Sequence, residues 1–158
     1  MATWSDVEAS APQFARRVRD SFDAHTNKTI ATLRRDGSPR ISGTEVEFVD
    51  GQLWLGAMWR SRKAIDLQRD PRCAVHSGTG NGGESWTGDA KLSGTAVEIT
   101  DSVRHKEISD ASAGEAPPGP SHLFLIDIDE VVHTHVEGNR LVVELWTEGG
   151  GLRRMERK

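Results

Sequence analysis

The stretch Lys28–Gly56, KTIATLRRDGSPRISGTEVEFVDGQLWLG, decides the fold of this chain. Side chains on a strand point alternately to its two faces, so a half-buried strand alternates apolar and polar residues. Lys28–Arg34 reads as one such strand, Asp36-Gly37 as a turn, and Arg40–Val49 as a second, alternating strand. Asp50-Gly51 then turns the chain into a third strand, Gln52–Gly56, because Asp-Gly supplies the left-handed backbone of a tight hairpin. Three consecutive strands of this kind predict an antiparallel meander.

Upstream, Phe14, Val18 and Phe22 recur every fourth residue, which predicts one amphipathic helix over Ser10–His25, with Ser10 as N-cap and Pro12 in its first turn. Residues 1–26 form a helical opening to a single domain over 1–158. Downstream, Ser61–Asp70 predicts a helix that turns Ala64, Ile65 and Leu67 inward and ends before Pro71. Cys73–Ser77 is a fourth strand and Asp89–Thr100 a fifth, bulged at Gly94. A short helix over Ser102–Ala111 and a rigid loop over 114–120 lead to two last strands, His122–Val136 and Leu141–Thr147, joined at Gly138-Asn139. Six or seven mostly antiparallel strands with a few short helices define a mainly β, α+β chain that must close or stack its sheet to bury its edges, and a small barrel is expected.

A chain of 158 residues with net charge −4 is not built to bind nucleic acid or a membrane surface over its whole face, so any anion site must be a local patch. No stretch is apolar enough to span a bilayer, and the cytoplasm is the expected compartment. Cys73 is the only cysteine, which excludes an internal disulfide, and it reads as a small buried strand residue. Gly78–Gly83 spells the dinucleotide pattern GxGxxG, but strand chemistry follows where a helix N-terminus must receive the pyrophosphate. A hairpin loop with an Asn81-Gly82 turn is expected instead. His133, His135 and Glu137 share a strand face, a geometry zinc could use, yet an exposed polar face accounts for the same letters and no metal is expected. His76 and His122 read as isolated, and no nucleophile sits in a catalytic context.

The turn Ser61-Arg62-Lys63 carries the chemistry. Two cations in a first helical turn oppose the helix dipole at about 0.3 to 1 kcal/mol each, unless an anion lies beside them. With Ser61 as N-cap, a phosphate there would meet the dipole, free amides and both cations together. Surface charges pointing into water would explain the same letters. Arg40 adds a third cation near that end of the meander, and Trp59, just before the turn, is placed to lie beside a ligand ring.

In their order and spacing these residues resemble the pyridoxamine 5′-phosphate oxidase-like, flavin-binding split β-barrels. The resemblance runs through RDGSPR, RISGTEVEF, QLWLG, SRKAIDLQRDPR and, later, GDAKLSGTAVEI. It implies that Arg40, Ile41, Ser42 and Gly43 line the flavin ring and phosphate, that Gly56 and Ala57 pass along the ring, and that Arg62 and Lys63 hold the phosphate. It also implies a homodimer with cofactor sites between subunits, and a hydride transfer that asks little acid or base chemistry of the protein. The vitamin-synthesising oxidase of this group offers a Lys where Glu45 stands here, and an Arg-Leu-His-like substrate stretch that is missing here, so oxidation of pyridoxamine phosphate is not the expected activity. The ending LWTEGGGLRRMERK resembles short relatives, some of which use the deazaflavin F420 in place of FMN. Arg153 and Arg154 could meet that coenzyme's acidic tail or form an exposed basic end. The resemblance therefore implies an oxidoreductase that uses FMN or F420 to reduce a small conjugated substrate, or else a non-catalytic flavin or tetrapyrrole carrier.

Overall fold

Alternation in Lys28–Gly56 becomes four strands in the computed structural model, which describes residues 1–80, 82–114 and 118–158. Strand β1 (Lys28–Leu33) pairs antiparallel with β2 (Pro39–Thr44), and β3 (Val46–Val49) pairs with β4 (Gln52–Met58). At the β3–β4 turn both Asp50 (φ 51°) and Gly51 (φ 70°) are left-handed, as a two-residue hairpin with the native twist requires. Arg40–Val49, expected as one strand, is divided at Glu45. Its first half stays with β1 and its second half crosses to β4, so one run of residues serves the two ends of the sheet.

The remaining strands are β5 (Arg72–His76), β6 (Asp89–Glu98), β7 (Ser121–Glu137), β8 (Arg140–Thr147) and β9 (Gly151–Arg157). The sheet runs β2-β1-β5-β6-β7-β4-β3, with β8 and β9 added to β7 as a further ribbon. The result is the expected antiparallel split barrel, open between β2 and β3, with nine strands among the described residues where six or seven were expected. The added members are the product of the Glu45 break and β9, where no strand was expected, although Arg153 and Arg154 are exposed on it. Gly149 and Gly151 both turn left-handed and fold residues 151–157 back on β8. Arg154 then bridges Glu137 and Glu156. β6 is bulged between Ser93 and Gly94, where a Cβ on Gly94 would stand 2.1 Å from the Asp127 carbonyl oxygen.

Among the described residues, four α-helices cover the sheet. The opening segment is two helices, α1 (Trp4–Ser10) and α2 (Pro12–Asp23), broken at Ala11. Ser10 ends α1 instead of capping the next helix, and its hydroxyl accepts a hydrogen bond from Trp146 Nε1 (2.9 Å). The cap is Thr3, in a reciprocal box with Asp6. Phe14, Val18 and Phe22 point inward as expected and join Trp4, Leu53, Leu55, Ile126 and Ile128 in the main core. Each such side chain contributes about 1.5 to 3 kcal/mol by leaving water. Helix α3 (Arg62–Arg69) buries Ala64, Asp66 and Leu67, whereas Ile65, expected to point inward, is 39% exposed. Helix α4 (Ser102–Ala111) is capped by the Asp101 carboxylate, which accepts from the Arg104 amide. Cys73 is buried as expected, and burial pushes its thiol up to about 12.

Gly83–Ser85 forms a single 3-10 turn before β6, so the glycine-rich run opens no α-helix. Asn81 of the expected Asn-Gly turn, and residues 115–117 of the expected rigid loop, lie outside the described residues.

Candidate functional site

β4 and β7 lie side by side with Gly56 opposite Leu123 and Ala57 opposite His122, and the end of β2 approaches them. Between these strands, α3 and α4 is a cleft of about 420 Å³. Gly43, Gly56, Ala57 and Lys63 line it, together with apolar walls from Trp54 and Leu123. A Cβ built on Gly43 or Gly56 would meet no atom within 4 Å, so both glycines leave open space against bare backbone where a flat ring can lie.

Lys63 reaches from the first turn of α3 to donate to the Gly43 carbonyl oxygen at 2.9 Å, tying helix to β2. Burial pushes its ammonium below the ordinary lysine value, against the opposing pull of Glu45. Ser61 stands at the N-cap with extended backbone, but its hydroxyl makes no capping bond and is buried without a partner. The first amides of α3 have no intrahelical acceptor either. A helix start with an idle buried hydroxyl, free amides and a partly buried ammonium could receive an anion.

Six of the ten residues singled out from the sequence do not line the cleft. Ile41 is 75% exposed and Trp59 51% exposed, with Ser42 half-buried and Arg62 exposed. Ser61 is the N-cap just described. Arg40 does not point its Nε at the cleft: it donates to Asp66 Oδ2 at 2.7 Å. Asp66 also accepts from Thr32 Oγ1 (2.8 Å) and Arg69 Nη2 (3.1 Å). Burial would raise this carboxyl, but the bonds from Arg40, Thr32 and Arg69 outweigh it and hold it below the usual aspartate value. The cluster fixes α3 against β1 and β2, and so fixes where Lys63 and Ser61 stand.

Among the cleft residues that sequence reasoning did not single out are two histidines. His122, read as isolated, is 5% exposed and fully engaged. Its Nδ1 lies 2.5 Å from Glu98 Oε1, and its Nε2 accepts from the Arg60 amide at 3.2 Å. Trp59 stacks on the ring at 4.6 Å and 8° between planes. These bonds hold Arg60 at φ 55°, a left-handed conformation that residues with a Cβ seldom adopt, and set the corner from which α3 starts. His105 of α4 also lines the cleft, and its Nε2 is buried without a partner. Glu98 lies 24 residues from His122 in sequence, so only the sheet brings them together.

The expected polar face of β7 is corrected as well. His133 is 1% exposed and lies beneath α2, opposite Glu144 of β8.

Comparison with known proteins agrees with this architecture. The family model for Pyridoxamine 5'-phosphate oxidase matches residues 14–135, and the chain belongs to that family. No curated protein matches. Among solved structures, a pyridoxamine 5'-phosphate oxidase-related, FMN binding protein from Nostoc punctiforme shares 15% identity and a TM-score of 0.62, over 100% of this chain and 98% of its own. HupZ of Group A Streptococcus shares 12% identity at a TM-score of 0.60, over 75% of this chain and 91% of its own. An F420 reductase shares 15% identity at a TM-score of 0.51, over 67% of this chain and 88% of its own. At such identities the likeness is one of fold.

Proposed function

We propose that the chain is an oxidoreductase that binds FMN, or the deazaflavin F420, in this cleft and reduces a small conjugated substrate. The observation that carries this reading is the pairing of a glycine-floored apolar cleft with an anion-ready helix start at its mouth. A flavin, when bound, supplies the hydride carrier that no side chain can. The chain's own residues bind and orient. Gly43, Gly56 and Ala57 give the ring its flat wall. Ser61, Arg62, Lys63 and the first amides of α3 take the phosphate. Arg40 holds α3 in register through Asp66, and His105 offers a free imidazole nitrogen to whatever shares the cleft.

Ile41, Met58 and Trp59 expose large apolar surface around the cleft mouth, at 75%, 72% and 51%. We assign that rim, with Ser42, to contact with a second copy of the chain, which would close the cofactor site in a homodimer working in the cytoplasm. The purified protein tests the proposal through its absorbance spectrum and the mass of any chromophore that copurifies. A flavin or deazaflavin that bleaches with a reductant and recovers with an added acceptor supports the enzyme. Tight binding that no acceptor reoxidises makes the chain a carrier, as does a tetrapyrrole bound in place of a flavin, and a chain that binds neither FMN, F420 nor a tetrapyrrole refutes both.

A further inference from the structure

We propose that His133, His135 and Glu144 form a binding site for one divalent transition metal of the zinc class, gated by Arg17. The site lies on the far half of β7 from the cleft and is independent of the function proposed above. β7 and β8 pair with His133 opposite Glu144 and His135 opposite Val142, so both imidazoles and the carboxylate share one face, which α2 covers. One donor atom from each of the three lies within 4.8 Å of the others. Two imidazoles and a carboxylate are the donor set that zinc favours.

The hydrogen bonding shows an unmet need. Six buried side-chain polar atoms lack a partner among the described residues, and three of them fall in this cluster: Arg17 Nε, His133 Nδ1 and His135 Nδ1. Each such atom costs about 1 to 3 kcal/mol if nothing meets it. His135 Nε2 is paired with Glu137 at 3.0 Å, while its Nδ1 faces Glu144 Oε1 across 3.9 Å. A carboxylate holding the outer nitrogen of a histidine is the usual support of a metal-bound imidazole, because it fixes the tautomer and turns the inner lone pair toward the ion. With Nε2 donating to Glu137, His135 Nδ1 and Glu144 Oε1 are two acceptors face to face, and they need a cation between them.

Arg17 now supplies that charge, and it fits poorly. A single nitrogen, Nη2, contacts both Glu144 oxygens at 2.7 Å, in place of the two-pronged geometry a guanidinium prefers. Its Nε is left bare, and its side chain is 39% exposed, so it can swing into water. Ligands about 2.0 to 2.1 Å from a tetrahedral zinc stand about 3.4 Å apart, so the three donors must close by about an ångström as Arg17 leaves.

Calorimetric titration of the full chain with Zn²⁺ after chelator treatment tests the site. One Zn²⁺ per chain is expected, bound at least about tenfold more weakly in His135→Ala and in Glu144→Gln. Arg17→Gln removes the competing charge and should bind several-fold more tightly, an effect that adventitious surface histidines cannot produce. Thermal melts establish that each variant is folded, and if Glu144→Gln is not, His135→Ala and Arg17→Gln decide the outcome between them. No binding, binding unchanged in His135→Ala, or binding weakened in Arg17→Gln overturns the proposal.

Discussion

The two ends of β7 carry buried histidines in opposite circumstances. At the start of the strand, His122 has both ring nitrogens engaged, one by Glu98 and one by the Arg60 amide, and a tryptophan on its face. Eleven residues on, His133 is buried more deeply with its Nδ1 unpartnered. A buried polar group that is satisfied acts as a fastener, and here it sets the corner beside the cleft from which α3 starts. One that is unsatisfied costs stability until a ligand meets it. β7 thus holds a satisfied histidine at one end and an unsatisfied one at the other.

Substitutions can break the comparison. The largest effect is expected at Asp66, which anchors the cleft end. Asp66→Asn leaves Arg40 and Arg69 without their buried counter-ion and should destabilise the fold by about 3 kcal/mol, read from denaturant midpoints. His122→Leu removes an acceptor from the Arg60 amide and a partner from Glu98, and should cost about 2 kcal/mol. His133→Leu, at comparable burial, should cost less than 1 kcal/mol or stabilise the chelator-treated protein, because few hydrogen bonds are lost and an idle nitrogen is removed. Equal losses at His122 and His133 would erase the distinction drawn between the two ends.

Acid sharpens the same contrast. Asp66 has a folded value below its ordinary 3.8, so its contribution to stability is fully present above 3.8 and is lost as the pH falls through the lowered value. Stability measured against pH should therefore fall on acidification below about 4, and this slope should flatten in Asp66→Asn. At the alkaline end, Lys63 has a value lowered by burial, so the affinity for an anionic cofactor should fall with rising pH sooner than an exposed lysine would allow. An affinity that is flat up to the ordinary lysine range would detach Lys63 from the anion.

Much of the cleft end was legible in the sequence, because its signals are local. Asp50-Gly51 fixes a turn by backbone conformation alone, and Ser61-Arg62-Lys63 marks a helix start by charge in the wrong place. The break at Glu45 left no local mark, since Thr44 and Val46 continue the burial alternation across it and only the change of pairing partner divides the strand. The capping box was available in Thr3 and Asp6, and the β8–β9 turn in three consecutive glycines. Glu144 could also have been found: a two-residue turn at Gly138-Asn139 pairs Glu137 with Arg140 and therefore His133 with Glu144. Arg17 and Glu98 could not. Their partners lie 127 and 24 residues away and meet them only through packing.

The account turns on the anion-ready start of α3. Titration of the cofactor-free protein with FMN, followed by flavin fluorescence, tests it directly when run beside the double variant Arg62→Ala, Lys63→Ala. Each lost charge-assisted bond is worth about 1.5 to 3 kcal/mol, so the variant should bind at least about tenfold more weakly, while the lost Lys63–Gly43 bond and the relieved helix dipole offset each other and leave thermal stability little changed. The same affinity in the wild type and the variant would contradict the account.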